Sequence, residues 1–135
     1  MTSKPRTILI SGASSGLGAA IARAYSAPGV TLFLGGRDQD RLEAVAASCR
    51  TAGAKVHPET VDVTDIEAMR RWVVGSDESR PLDLVIANAG ISGGTSGLEG
   101  AEPEEQVRRL FDVNVGGVMN TVLPIIPILS ARGAG

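Results

Sequence analysis

The sequence predicts an α/β protein in which helices cover both faces of a parallel β-sheet, as a three-layer αβα sandwich. Apolar, β-branched runs alternate four times with segments whose apolar residues recur at helical spacing. Glycine and proline punctuate the connections, and neither a linker nor an internal repeat divides the chain. Such alternation is typical of right-handed βαβ units, which place parallel strands between two helical layers.

Length and composition limit the size of the protein and its partners. The 135 residues suit one domain, 1–135, and the net charge of −2 with scattered basic residues predicts neither nucleic acid nor an anionic membrane as a partner. Cys49 is the only cysteine, which excludes an internal disulfide and favours a reducing cytoplasm. We predict no metal site, because His57 has no second histidine or cysteine nearby.

The uncharged segment 113–129 is long enough to suggest a membrane span. It contains two prolines, two asparagines and two glycines in 17 residues, so we interpret it as a buried helix instead. The residues before the first strand do not resemble a signal peptide. We therefore expect a soluble, cytoplasmic protein.

The first strand and first helix flank a glycine turn. Residues 7–10 predict a buried strand, and a helical pattern begins near Leu17. Between and beside them lie Gly12, Gly16 and Gly18. Bare N–H groups and the positive end of a helix dipole meet at such a turn, where a phosphate can bind. A tight turn without a ligand has the same appearance, so this motif alone leaves both interpretations open.

The second strand and second helix follow a Pro-Gly stop at 27–29. Residues 30–34 predict the strand, and Gly53 predicts the end of the helix. We expect Asp40 and Glu43 to form a capping pair at the start of this helix. The predicted buried face consists of Leu42, Val45, Ala46 and Cys49.

The third unit begins with a strand over 55–61, which we place at a sheet edge because Pro58 cannot donate to a strand ladder. Thr64 and Glu67 have the spacing of a capping box at the start of the third helix. The face of this helix that packs on the sheet is predicted to contain Ile66, Met69 and Val73.

The fourth unit has a strand over 82–87 and a Gly/Ser-rich loop over 91–101. Proline and acidic residues at 102–105 predict the start of the fourth helix, and two prolines break or kink its end. One stripe of this helix is predicted to contain Val107, Leu110, Phe111, Asn114 and Val118.

Four turns with polar or glycine residues follow the four predicted strands. They are the glycine turn, Arg37, Asp62 and the segment 88–90. Because the carboxyl ends of parallel strands meet at one edge of a sheet, where ligands bind, we expect these turns to lie together. Four such turns favour a ligand site more strongly than the glycine turn alone.

Together these motifs resemble the short-chain dehydrogenase/reductase family over essentially the whole chain. Residues 11–18 resemble its T-G-x-x-x-G-x-G pyrophosphate loop, with Ser11 in place of the usual threonine. Residues 62–63 are similar to its adenine-holding pair, 88–90 to its motif after strand four, and 111–115 to the helix segment with its active-site asparagine. The resemblance implies a Rossmann-like, doubly wound sheet of about four strands in the order 3-2-1-4.

The resemblance also implies which residues form the site. Asn114 would be catalytic, holding a water near the lysine of the family. Structural explanations remain open: Asp62 could cap the next helix, Asn88 could only bond to backbone, and Asn114 could be a satisfied core amide. The residues implied in cofactor binding are Gly12, Ser14, Ser15, Gly16, Leu17, Gly18, Arg37, Asp62, Val63, Asn88, Ala89 and Gly90.

The turn after strand two distinguishes NAD from NADP. A carboxylate there binds the ribose 2′-OH and repels a 2′-phosphate, whereas an arginine attracts the phosphate. By resemblance, Gly36 fills the acidic position of NAD-binding members and Arg37 follows it, which favours NADP over NAD. Asp38 could reach the ribose but is better placed as a helix cap, and Arg37 could be only a solvated turn residue.

The reaction implied by the resemblance is hydride transfer between a nicotinamide and an alcohol or carbonyl substrate, with a Tyr-x-x-x-Lys pair and a serine. Tyr25 is the only tyrosine here, and Gly29 stands four residues after it. We therefore expect the cofactor-binding front half of an NADP-dependent oxidoreductase, incomplete at its C-terminal end and inactive alone. The alternative is a module that binds nucleotide or self-associates without catalysis.

We also expect a homo-oligomer. In the implied strand order the fourth strand has an unpaired edge, and unpaired backbone on an apolar strand favours pairing with another chain. The fourth helix keeps an apolar stripe, and in the family this helix often forms a subunit interface. Both features predict self-association.

Overall fold

Four parallel strands form one sheet in the order β3-β2-β1-β4. They are β1 (Thr7–Ser11), β2 (Thr31–Gly36), β3 (Lys55–Thr60) and β4 (Leu84–Ala87). The computed structural model describes residues 4–93 and 102–135, so residues 94–101 of the predicted Gly/Ser-rich loop lie outside the described part. The predicted fold class and the order 3-2-1-4 are confirmed, and β3 lies at an edge, as Pro58 indicates.

The register aligns the carboxyl ends of the central strands. Ser11, the last residue of β1, lies opposite Gly35 of β2 on one side and Ala87 of β4 on the other. The turns that follow these three strands therefore begin at the same level. This alignment places their residues around one opening at the edge of the sheet.

Helices cover both faces of the sheet. On one face lie α1 (Gly16–Tyr25) and α2 (Gln39–Thr51), which pack on Ile8 and Ile10 of β1. The other face is covered by α3 (Ile66–Ser79) and a helical run that contacts Leu9 and Phe33. Successive residues of β1 thus belong to opposite cores, as the alternation of side chains along a strand requires.

The predicted packing faces are largely correct for α2 and α3. All four predicted residues of α2 are buried, as are Met69 and Val73 of α3. Ile66 is exposed, because it is the first residue of α3 and lies at the open end of the helix. Trp72 is buried and packs over Gly35, where a Cβ would lie 2.4–2.9 Å from the indole ring.

The cap of α2 differs from the predicted one. Asp38 is the N-cap residue, and its Oδ1 accepts a hydrogen bond of 3.0 Å from the Arg41 N–H. Asp40 lies inside the first helical turn, so the predicted pair of Asp40 and Glu43 is wrong. The alternative that assigned Asp38 to capping is confirmed.

The predicted capping box of α3 is also wrong. Asp65 is the N-cap, and its Oδ1 accepts a hydrogen bond of 2.9 Å from the Ala68 N–H. The hydroxyl of Thr64 donates instead to Asp62, at 2.8 Å. The helix begins one residue later than a box of Thr64 and Glu67 requires. Asp62 therefore does not cap α3.

The last helical run consists of α4 (Glu104–Phe111), a π-helical turn (Asp112–Gly116), α5 (Gly117–Val122) and α6 (Ile126–Arg132). Its buried residues are four apart: Val113, Gly117, Thr121 and Ile125. The predicted stripe is instead partly or fully exposed. Residues 113–129 are apolar on all sides, so periodicity could not select a face, and the π turn rotates the helix that follows it.

By length and composition, the run Glu104–Arg132 could cross a membrane, and 22% of its most apolar stretch is buried. A helix that covers a sheet in a globular protein meets the same criterion, so this is weak evidence. The buried row that starts at Val113 packs against the sheet together with α3. The interpretation as a buried helix is therefore correct for one face of the run only.

Candidate functional site

A cavity of about 500 Å³ opens at the carboxyl ends of the strands. Its walls are the turns after β1, β2 and β4, the start of α1 and the residues after β3. Gly18 lies behind the cavity, inside α1, and Asn114 is not part of its lining. The predicted residues that line it are Gly12, Ser14, Ser15, Gly16, Leu17, Arg37, Asp62, Val63, Asn88, Ala89 and Gly90.

Two glycines of the turn allow close packing of the backbone. Gly12 has a φ of +68°, and a Cβ on it would lie 2.6 Å from the Cα of Ala89. A Cβ on Gly18 would overlap the carbonyl oxygen of Gly12 and approach the Asn88 amide to 2.5 Å. These two glycines therefore bring the glycine turn, α1 and segment 88–90 together, and they shape the cavity from behind.

The first turn of α1 presents free N–H groups to the cavity. Ser15 has an extended backbone before the helix, and its side chain makes no capping hydrogen bond with any residue that the structure describes. The first turn also contains no acidic residue. The N–H groups of 16–18 have no acceptor within the helix, and the helix dipole makes this end positive. An anion such as a pyrophosphate suits this position.

Ser11 joins the glycine turn to the segment after β4. Its buried hydroxyl accepts hydrogen bonds from the N–H groups of Asn88, at 3.1 Å, and Ala89, at 3.3 Å. The Asn88 amide donates to the Gly12 carbonyl at 3.1 Å. Sequence reasoning recognised Ser11 only as a variant of the motif and gave it no role. The Asn88 amide thus bonds to backbone, and the residue also lines the cavity, so its role toward a cofactor stays a prediction.

Asp62 is ionised and held in a fixed position. Its Oδ1 accepts hydrogen bonds from the Thr64 N–H, at 2.9 Å, and the Thr64 hydroxyl. The backbone bond from Thr64 lowers the pKa of Asp62, and the hydroxyl and the positive charge of Arg37 act in the same direction, against the opposing effect of partial burial. A carboxylate is therefore available at this wall of the cavity at neutral pH.

Val63 is positioned by α5. The Asn120 amide donates to the Val63 carbonyl at 2.9 Å. A Cβ on Gly117 would lie 2.6 Å from the side chain of Val63, so the helix packs directly against it. Sequence reasoning missed Asn120, although a polar residue within an apolar helix is a signal that a specific partner exists.

Three charged residues lie at the end of the cavity next to β2. Arg37 and Asp38 follow the strand, and Arg41 lies in the first turn of α2. A Cβ on Gly36 would lie 3.1 Å from the Cβ of Ser14, so little room remains for an acidic side chain there. Arg41 was not identified from the sequence, because no family motif includes it.

Asn114 lies in the π-helical turn and holds the segment after β4. Its Oδ1 accepts a hydrogen bond from the Ile91 N–H, and its Nδ2 donates to the Ile91 carbonyl, both at 2.8 Å. The residue is exposed rather than part of the core. The oxygen and the nitrogen of the amide are thus both hydrogen-bonded to the backbone of Ile91, the residue directly after Gly90.

Comparison with known proteins agrees with this geometry. A family model described as short chain dehydrogenase matches residues 6–135. An uncharacterized oxidoreductase of Myxococcus xanthus is 38% identical over 131 residues, which cover 96% of this chain and 51% of that protein. The chain thus spans about half the length of this relative.

Two solved structures have the same fold. The alcohol dehydrogenase of the archaeon Thermococcus sibiricus, complexed with 5-hydroxy-NADP, is 32% identical with a TM-score of 0.81, over 96% of this chain and 55% of that one. A 3-oxoacyl-[acyl-carrier protein] reductase of Brucella melitensis with bound NAD is 26% identical with a TM-score of 0.83, over 96% and 50%. With its matching sequence, fold and arrangement of turns, this chain belongs to the short-chain dehydrogenase family of NAD(P)-binding oxidoreductases.

Proposed function

We propose that the chain forms the NADP-binding part of a short-chain oxidoreductase that transfers hydride between NADP(H) and an alcohol or carbonyl substrate. The main support is the cavity at the carboxyl ends of the strands, where a free helix N-terminus, an ionised carboxylate and an arginine line one space. When bound, the cofactor would supply the hydride. The activity and substrate of the whole protein are part of this proposal, since the chain spans about half of its relatives.

The residues present fit a dinucleotide. The N–H groups of the glycine turn would bind the pyrophosphate, because close packing at Gly12 and Gly18 holds the turn against the positive end of α1. Asp62 and Val63 would hold the adenine, since both are fixed at the cavity wall by hydrogen bonds. Residues 88–90 form the adjoining wall and are held by Ser11.

Arg37 supports NADP over NAD. The similar structures include one with an NADP derivative and one with NAD, so the likeness alone favours neither cofactor. The local residues do: Gly36 provides no carboxylate for a ribose 2′-OH, and Arg37 brings positive charge to the same wall. A guanidinium binds phosphate through charge-assisted, paired hydrogen bonds.

Asn114 is proposed to act in catalysis by helping to hold a water near the family's lysine. Its amide fastens Ile91, so its first effect is to keep the segment after β4 against the helical run. By holding Ile91, the amide would fix segment 88–90, which lines the cavity, and also the residues that follow it. The role rests on the family resemblance together with this contact.

The proposal is tested by titrating this chain with NADPH and with NADH in a calorimeter, beside the variant Arg37→Ala. We expect NADPH to bind more tightly than NADH, and Arg37→Ala to weaken NADPH binding about tenfold or more while leaving NADH binding nearly unchanged. Arg70→Ala is the matched control, because Arg70 is exposed on α3 and does not line the cavity. If neither cofactor binds, the proposal is wrong for this chain.

We also propose that two copies of the chain associate through the helical run. Phe111, Val115, Met119, Leu123 and Ile126 are large apolar residues that are exposed on this run. An exposed apolar surface of this kind is typical of an interface between subunits. Light scattering across a range of protein concentrations tests it, and a monomer at high concentration would contradict it. We also propose a cytoplasmic location, which is supported by Cys49, a buried cysteine without a disulfide.

A further inference from the structure

Arg41 lines the nucleotide cavity at the same end as Arg37, although no cofactor motif includes it. It lies on the first turn of α2, next to the Asp38 cap. Asp38 also lines the cavity. A positive and a negative side chain thus stand together at the place where Arg37 would meet the 2′-phosphate of NADP. The presence of the acid here requires an explanation, because a carboxylate repels a phosphate.

Asp38 has a structural function that keeps it in place. Its Oδ1 accepts a hydrogen bond of 3.0 Å from the Arg41 N–H and so caps α2. Serine, threonine, asparagine and aspartate all perform this function, but only aspartate adds a negative charge. The cap therefore places an anion at the end of the cavity that the proposed function assigns to a 2′-phosphate.

Arg41 compensates that charge. Its Nε lies 3.4 Å from the Oδ2 of Asp38, so the cap is neutralised by a residue three positions later. The side chains of Arg41 and Asp38 are 71% and 49% exposed, and an ion pair this exposed contributes little to stability. The effect of the pair is therefore on the charge at this end of the cavity, where Arg41 offsets the carboxylate of Asp38, rather than on the stability of α2.

We propose that Arg41 is a second residue that selects nucleotides with a 2′-phosphate, by neutralising Asp38 and adding a cation beside Arg37. This inference rests on the proposed function, because it concerns the same site. It assigns the preference for NADP to Arg37, Asp38 and Arg41 together: Arg37 binds the phosphate, and Arg41 offsets the negative charge of Asp38. Loss of Arg41 would leave Asp38 as an uncompensated anion.

The test uses the 135-residue chain and two probes that differ only in the relevant group, adenosine 2′,5′-bisphosphate and adenosine 5′-monophosphate. Calorimetry gives the ratio of their affinities for each variant. We expect Arg41→Ala to lower this ratio about tenfold and Asp38→Asn, which keeps the cap, to raise it about threefold. In the Asp38→Asn background, Arg41→Ala should lower the ratio by a smaller factor, because the unmasked anion is absent. Melting temperatures show whether each variant is folded.

The outcomes separate the inference from the proposed function. If the bisphosphate binds and Arg37→Ala lowers the ratio but Arg41→Ala does not, the inference is wrong and the proposed function stands. If Arg41→Ala weakens both probes equally, its effect is only structural and the inference is also wrong. If neither probe binds to the unmodified chain, both fail. The inference is supported if Arg41→Ala lowers the ratio of the two affinities, and lowers it by a smaller factor in the Asp38→Asn background.

Discussion

The two helical layers of this protein cover the sheet to different degrees. Between the sheet and the layer of α1 and α2 lies a continuous core whose edge, at Leu84 and Ile86 of β4, is only partly buried, and the layer ends at the cavity beside the strand ends. The layer of α3 to α6 also encloses a core, but its outer side exposes large apolar residues such as Phe111 and Leu123. Along α1 and α2 one large apolar side chain, Leu17 beside the cavity, is exposed, whereas the second layer exposes a row of them, which is the surface that we propose for association.

The two layers also differ in which substitutions should affect stability most: those at glycines in the first layer and those at buried apolar residues in the second. In the first layer, backbone segments touch, so an added atom is costly. In the second layer, the row of residues from Val113 to Ile125 at every fourth position packs on the sheet, whereas many residues between them are exposed. Five predictions test this difference, in order of decreasing effect on stability.

The largest effect is expected for Gly18→Ala. The new Cβ would overlap the Gly12 carbonyl, and backbone cannot move aside as a side chain can. We expect a loss of about 4–5 kcal/mol in the free energy of unfolding, together with loss of nucleotide binding. Urea denaturation measures the first. Gly75→Ala in α3 is the control, because its Cβ has open space, and it should change stability by less than about 1 kcal/mol.

Two neighbouring isoleucines test which face of the helical run packs on the sheet. Ile125 is 1% exposed and Ile126 is 49% exposed. We expect Ile125→Ala to lower the free energy of unfolding by about 2–4 kcal/mol and Ile126→Ala to change it by less than about 0.5 kcal/mol in the monomer. Equal losses in thermal or urea unfolding would show that the assignment of the buried face is wrong.

A smaller effect is expected for Asp77→Asn, which weakens the attachment of α6. Asp77 is buried and accepts hydrogen bonds from the Leu82 N–H, at 2.9 Å, and from Arg132, at 2.7 and 2.9 Å. We expect a loss of about 1–3 kcal/mol at neutral pH, because the Arg132 guanidinium loses its charged acceptor and meets an amide NH2 group in place of one carboxylate oxygen. Urea titration of both proteins gives the difference.

The same pair predicts a pH dependence. Burial tends to raise the pKa of Asp77, but the hydrogen bonds from Arg132 and Leu82 outweigh it, so the pKa is below its ordinary value. Its contribution to stability is therefore complete above a pH of about 4 and is lost as the pH falls through the lowered pKa. Stability should fall less steeply with acid in Asp77→Asn. Parallel curves for the two proteins would contradict this assignment.

The smallest effect on stability is expected on the exposed side of the second layer. Phe111→Ser and Leu123→Ser should change the free energy of unfolding of the monomer by less than about 0.5 kcal/mol, because both side chains are exposed. They should nevertheless reduce self-association, which sedimentation velocity measures. The exposed polar control Ser130→Ala on α6 should leave association unchanged. If the serine variants associate like the unmodified chain, the interface lies elsewhere.

Part of the site could be predicted from the sequence and part could not. The residues that line the cavity occur in short motifs at the ends of strands, so their meeting follows from a parallel sheet. The bond from Asn88 to Ser11 joins residues 77 positions apart and depends on how β1 and β4 align. Arg41 enters the site because α2 turns its first residues toward the cavity, which no strand pattern indicates.

The sequence by itself determined the alternation of strands and helices, the buried face of α2 and the chemistry at the strand ends. These features depend on neighbouring residues and on the periods of regular structure. Only the tertiary structure decided between Asp38 and Asp40 as the cap of α2, and showed that Asp65 caps α3. It alone also showed that Val113 and Ile125 pack on the sheet and that Asn114 holds Ile91. Each of these depends on the position of a helix to within one residue, and that position is set by packing against distant parts of the chain.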